Sequence, residues 1–389
     1  MTDRLYYHDS YLTEFRARVV DVSPDRQRIY LDRTAFYPTS GGQPFDVGQL
    51  GGSDVIEVVD EGERIAHVLS EPLAETEVDG RIDGDRRFDH MQQHTGQHLL
   101  SAVLLGMFDA PTVSFHLGAE SSTIDISRAL DSGQLLQAER RANQIVFENR
   151  PVTVSFQHSS EDLGLRKPTE REGQVRIISI RDLDRSACGG THVRATGEIG
   201  PILLRKLDHV RGNLRIEFVC GGRAVARARS DFDALSQIAR IFSASLDDAP
   251  AMVEVQREKL QETDRTRRRL ATELAQASGR ALYAGTPAGP DGIRRAQRRV
   301  ESLTEESRAE AQSFTAGGAA IFFALTENPP SVLLAVSPAS GVHAGNLLKP
   351  ALAEVGGRGG GNATLAQGSV PSKEALGQLV SVVTGVLKF

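Results

Sequence analysis

Two cysteines in 389 residues are too few for a disulfide framework, so a reducing compartment, the cytoplasm, is expected. No apolar run approaches the roughly eighteen residues of a membrane-spanning helix, and no membrane partner is expected. The opening residues, MTDRLYYHDSYL, hold no apolar stretch of signal-peptide type. Internal repeats of the solenoid kind are absent too. Charge of one sign is not in excess: 45 Lys and Arg against 51 Asp and Glu leave a formal net charge of −6. That excludes a chain coated throughout with positive charge, but not a local patch for nucleic acid. Lysine is scarce beside arginine, which suits phosphate recognition but is better read as genome composition. What is present, 40% hydrophobic and 25% charged residues, is that of a chain that folds. The length predicts more than one domain.

Periodicity divides the chain into four stretches. Residues 1–88 read as short alternating strands (FRARVVDV, RQRIYLD, DVIEVVD, RIAHVLS) separated by turns, the pattern of a small β-barrel. The exception is TAFYPTSGGQPFDVG, rich in glycine and proline. Residues 89–222 mix a helix beginning at His90, strands TVSFHLG and SSTIDIS, a helix capped by Asp131 or Ser132, and further strands, as in an α+β domain. Residues 223–315 are charged and helical, with a break at YAGTPAGPDG, which predicts a helical hairpin or coiled coil. Its cluster Arg265, Arg267, Arg268 and Arg269 reads as a solvated face. Residues 316–389 read β-β-α-loop-α, a C-terminal α/β domain whose loop is GGRGGGN.

Three of the ten histidines, His90, His94 and His98, recur every fourth residue in DHMQQHTGQHLL. On a helix all three share one face, and two such imidazoles can share a metal ion. Spacing alone does not choose His90/His94 over His94/His98. A second cluster makes a metal credible: Cys188-Gly-Gly-Thr-His192 folds a thiolate and an imidazole toward one point in a glycine turn. Three nitrogens and one sulfur suit zinc.

HTGQHLL followed some distance on by CGGTHVRATGEIGPI resembles the editing domain of alanyl-tRNA synthetase and its free-standing relatives, the AlaX proteins. FYPTSGGQPFDVG is similar to the glycine-rich segment of that group, and SVLLAVS…AGNLLKPALAEVGGRGGGNATLAQG to its C-terminal C-Ala domain. The resemblance covers nearly the whole chain, except that the class II aminoacylation domain is missing; the expectation is an editing enzyme acting in trans. The resemblance places one zinc per chain on His94, His98, Cys188 and His192, and leaves His90 as an exposed bystander at the helix start. Four protein ligands fill a tetrahedral shell, as in structural sites, whereas catalysis needs an open position or a fifth ligand.

The implied substrate is tRNA(Ala) carrying serine, or glycine, in place of alanine. A small synthetic pocket cannot strongly reject an added hydroxyl, whereas a second site that hydrogen-bonds it can reject alanine. Thr112, Ser114 and His116 alternate along one strand and offer such groups; by resemblance Thr112 matches a threonine that selects the amino acid in short AlaX proteins. Zinc would anchor or polarise the ester for attack by water. Gln43 or Thr39, beside Gly41 and Gly42, would orient that water or close over the substrate as a lid. GGRGGGN lacks the Lys-Ser/Thr of a P-loop; the resemblance implies tRNA contact there, through Arg358 with Asn346 and Lys349 as further candidates, and dimerisation. The alternatives are a non-catalytic tRNA-binding protein with structural zinc, and a zinc peptidase. The latter is disfavoured because Gly96 and Gln97 stand where the glutamate of HExxH would be expected.

Overall fold

The computed structural model describes residues 1–170 and 172–389. They form two compact units, residues 1–238 and 239–389. The α+β class and the N-terminal barrel expected from the sequence are both found.

In the first unit, six strands close a barrel in the order Glu14–Val22, Arg28–Leu31, Ile65–Leu69, Ser53–Asp60, Gly48–Leu50 and Glu77–Ile82. Inward residues such as Ile29, Leu31, Leu50, Val58 and Ile65 fill it. Helix α1 follows at Gly84–Phe108, six residues before the expected start. Asp83 caps it by accepting from the Arg86 N–H at 3.0 Å, an N-terminal signal hidden by the polar run after it. From Arg87 to Leu104 almost every residue of α1 is buried, because the element runs through the middle of its unit. Arg87, 1% exposed, binds Asp46 and the carbonyls of Ser10 and Ala35, fastening α1 to the barrel.

Against α1 lies a four-stranded sheet ordered Ile202–Val210, Asn213–Cys220, Ser122–Ile126 and Thr112–Leu117. Helix α2, Ser132–Phe147, opens on a capping box between Asp131 and Gln134. Val152–His158, Gln174–Ile180 and Asp184–Ala187 form a three-stranded sheet leading into the CGGTH turn. Helix α3, Gly221–Phe242, leaves the unit.

The second unit takes in the end of α3 and then α4, Ala249–Gly285, of which only Ala249 and Gly279 are buried. Gly279 admits the neighbouring helix α5, Glu305–Thr315: a Cβ there would lie 2.2 Å from the Glu310 carbonyl oxygen. The expected second long helix is not formed. Arg294–Arg299 is instead an edge strand, parallel to Ala320–Glu327. Ile293, Ala296 and Val300 have helical spacing, but pairing with a strand buried on both faces overrides that local preference. The five-stranded sheet continues with Pro330–Val336, Leu365–Ser369 and Arg358–Gly361. The expected glycine loop is thus the outer strand of a hairpin. Helices α6 (Ala344–Glu354) and α7 (Lys373–Leu387) cover one face and α5 the other. Among the described residues no helix is long and apolar enough to cross a membrane.

Candidate metal centre

One helical turn separates His94 from His98, so both rings leave α1 on the same face. The CGGTH turn comes down onto that face. Its glycine at 190 is required by the approach, since a Cβ there would stand 2.1 Å from His94 Cε1. Arg176 supports the turn from below, donating to the carbonyls of Cys188 (2.7 Å) and Gly190 (2.9 Å). The result is a cluster of His94, His98, Cys188 and His192 whose ligand atoms all lie within 4.8 Å of one another.

Which ring nitrogen each histidine presents is set by its surroundings. His94 Nδ1 bonds Gln43 Oε1 (2.8 Å), His192 Nδ1 bonds Thr95 Oγ1 (3.1 Å), and His98 Nδ1 bonds Asp184 Oδ2 (3.0 Å). With Nδ1–H donated in all three, the Nε2 lone pairs are left for a cation. Two of them lie 3.5 and 3.3 Å from Cys188 Sγ. Tetrahedral zinc with ordinary bond lengths would set such an edge at about 3.6 Å. Burial disfavours charge on Cys188, but His94 and His192 outweigh it and hold the thiol well below its usual range. Burial pushes His192 down to about 3. Burial lowers His98 as well, yet its hydrogen bonds to Asp184 and Cys188 prevail and raise it to about 9, so a cation would take the place of its Nε2 proton. Asp184 is itself held by Arg166 (2.6 Å) and Ser186. Three imidazole nitrogens of fixed tautomer and one thiolate are a donor set that fits zinc.

His94, His98 and Cys188 line a cavity of about 630 Å³. Thr112, Ser114, Gly41 and Gly42 line it too, whereas Thr39 and His116 do not. The three strand residues are not on one face. A bulge at Val113 sets Ser114 opposite Asp125 but Thr112 opposite Ile126, so the extra residue reverses the alternation. Thr112 consequently faces α1, where its hydroxyl meets Ser101 Oγ at 2.7 Å. Ser114 donates to Asp125 on the other side.

The SGGQ segment is a tight turn in the cavity wall. Ser40 and Gln43 pair across a two-residue turn in which Gly41 and Gly42 have φ +52° and +80°, as a tight hairpin turn demands. The Gly42 carbonyl accepts from Leu117 N–H. Gln43 is fully buried: its Oε1 bonds His94 and the Thr191 N–H, and its Nε2 donates to the Thr191 hydroxyl, so it positions a ring. Thr39 points away, its hydroxyl accepting from Phe45 N–H. His90 is not exposed as expected: it is 3% exposed, on the inner part of α1, and outside the cluster. Arg358 belongs to the second unit, exposed beside Arg308 at a smaller cavity; Asn346 and Lys349 are exposed on α6.

Thr95, Asp184 and Arg166 carried no signal in the sequence, since each acts through a neighbour. Gln97 carried one, lying between the two histidines. The residue is part of the cavity wall, its Nε2 donates to Ser101 (2.8 Å), and its Oε1 is buried with no partner among the described residues.

Residues 175–217 match the threonyl and alanyl tRNA synthetase second additional domain, and residues 308–388 the DHHA1 domain. The chain is 32% identical to the alanyl-tRNA editing protein AlaX-L of Pyrococcus horikoshii, over 96% of both chains. It is 31% identical to the alanine–tRNA ligase of Methanoregula boonei, over 98% of this chain but 43% of the ligase. Among solved structures, the C-Ala domain from Aquifex aeolicus alanyl-tRNA synthetase is similar at 20% identity and a TM-score of 0.23, covering 26% of this chain and 96% of that one.

Proposed function

The chain belongs to the family of the alanyl-tRNA editing protein AlaX-L, and from that membership we propose that it deacylates tRNA(Ala) bearing the wrong amino acid, serine above all. The observation that carries this reading is the four-donor cluster at a cavity whose wall includes Gln97, a residue with a buried, unpartnered acceptor. A zinc ion held by His94, His98, Cys188 and His192 would supply Lewis-acid polarisation of the ester. The remaining work falls to the chain. Gln97 Oε1 accepts the hydroxyl of a seryl group, and alanine would leave it unpaired, at a cost of about 1–3 kcal/mol. Ser101 fixes the Gln97 amide and, with Thr112, closes the polar wall behind it. Gln43, Thr95 and Asp184 keep the three rings oriented. Aminoacyl esters are labile, so holding carbonyl and water in register suffices for much of the acceleration.

The reading places the protein with tRNA in the cytoplasm. It also pairs two copies through their helices and C-terminal units, supported by apolar residues left exposed on α3 and α4, among them Ile241, Leu260 and Leu274.

Purified protein incubated with Ser-tRNA(Ala), Gly-tRNA(Ala) and Ala-tRNA(Ala) is expected to release serine fastest and alanine slowest, and to stop when a chelator strips the metal. One observation favours a second reading: four protein donors already complete a tetrahedral shell, as in structural sites. A zinc-loaded protein that binds tRNA and leaves every ester intact would establish that reading instead.

A further inference from the structure

Asp184 is shared between two neighbours. Its side chain has no exposed surface, and each carboxylate oxygen serves a different group: Oδ2 accepts from His98 Nδ1 at 3.0 Å, and Oδ1 accepts from Arg166 Nε at 2.6 Å. The Ser186 hydroxyl stands by both, 3.1 Å from Oδ1 and 3.0 Å from Oδ2. With no water to turn toward, the carboxylate cannot shift for one neighbour without leaving the other. His98 belongs to the four-donor cluster. Arg166 lies instead on the connection between the strands Val152–His158 and Gln174–Ile180, and it forms part of the cavity wall.

Residues 159–170 of that connection hold no helix or strand. Their first half is anchored. Leu163, 9% exposed, belongs to one small apolar cluster with Val175 and Ile177, and its carbonyl accepts from Arg185 Nε at 2.6 Å. The Arg166 N–H donates to the Arg185 carbonyl at 2.8 Å. Beyond it the chain runs along the cavity as Lys167, Pro168 and Thr169, and the first two are exposed. Exposed backbone with little buried apolar surface opens locally at low cost. The Arg166 guanidinium ties this stretch to the interior, through Nε on Asp184 and Nη2 on the Ser186 hydroxyl at 3.2 Å.

We propose that Arg166 is a positioning residue that couples the cavity wall to the metal centre. In a loaded cluster His98 is fixed, His98 orients Asp184, and Asp184 holds Arg166 and with it residues 166–170 against the cavity. By linkage, the docked wall returns the same free energy to metal binding. A chain stripped of metal has a loosened wall, so a ligand meets the complete cavity only where the cluster is loaded. The inference rests on the zinc reading above and is independent of which ester the cavity receives.

The test is hydrogen exchange read by mass spectrometry on the full-length protein, zinc-loaded and chelator-stripped. In the wild type zinc is expected to slow exchange at the Lys167, Thr169 and Glu170 amides about tenfold. Residues 189–193, in the ligand turn itself, serve as the reference. Arg166→Gln should abolish the zinc effect at 167–170, keep it at 189–193, and weaken zinc about tenfold in chelator competition. Arg166→Lys, which keeps a cation for Asp184, should restore part of both. With cobalt in place of zinc, the visible absorption bands should shift in Arg166→Gln and return toward the wild type in Arg166→Lys. Equal exchange at 167–170 in the two metal states of the wild type, a comparison that needs no variant to fold, would overturn the coupling and leave the zinc reading standing. So would zinc-dependent exchange there that persists in Arg166→Gln, or an unchanged cobalt spectrum. A wild type that retains no zinc would overturn both.

Discussion

Among the three histidines of α1, geometry separates what spacing could not. His94 and His98 meet Cys188 and His192, and His90 is buried elsewhere with Nδ1 unpartnered among the described residues. Cys188→Ala should therefore lose bound zinc and deacylation together, measured by metal analysis and tRNA assay. His90→Ala should keep its zinc but unfold at lower denaturant, by about 2 kcal/mol for a truncated core side chain. Gln43→Ala and Asp184→Asn release one ring each and should weaken zinc about 10–100-fold in chelator competition. The four residues of the cluster are legible because two short motifs carry them. Thr95 and Asp184 are not, because they are ordinary polar residues whose roles exist only once distant segments meet; Gln43 is singled out by its motif, but its bond to the His94 ring is not. His67 makes a separate prediction. Burial holds its imidazole down at about 4, bonded to Thr34 and the Ile29 carbonyl. The unfolded chain binds that proton near pH 6.5 and the folded one does not, so stability is full above 6.5 and falls toward pH 4. The loss is on the order of 3 kcal/mol. His67→Gln, less stable at pH 7, should lose less across that window in denaturant titrations.

Elements were read from the sequence where period and caps agreed and misread where one inserted residue or a partner strand decided. Asp131, one of the two cap candidates, announced α2. By contrast, the bulge at Val113 moves Thr112 off the face of Ser114 and His116, and no alternation pattern reveals it. The turns show the same dependence on the partner. Gly190→Ala would drive a methyl into His94, so zinc should be lost while the helical circular dichroism persists. Gly42 has positive φ, and its Cβ would lie 2.8 Å from the Phe115 ring. Gly42→Ala should accordingly lower the melting temperature and, by pushing on Gln43, the zinc affinity.

Across the molecule, every ligand and cavity residue proposed for the ester lies in residues 1–238. A chain ending at residue 242, the close of α3, should hold one zinc and still release serine, with the shortfall appearing in KM for tRNA. Kinetics of the two chains side by side check this. The sequence showed the barrel plainly, through strand alternation and turn residues. It did not show how the barrel and α1, which have separate apolar cores, are fastened together. Arg87 does this: a guanidinium 1% exposed is matched to Asp46 and to the carbonyls of Ser10 and Ala35. For anyone grafting this module onto another protein, the seam cannot run between strand and helix at residues 83–88. A graft lacking the barrel would carry a stranded cation in its middle, and one lacking α1 a stranded carboxylate. The smallest transplantable piece has to include both sides of that bond.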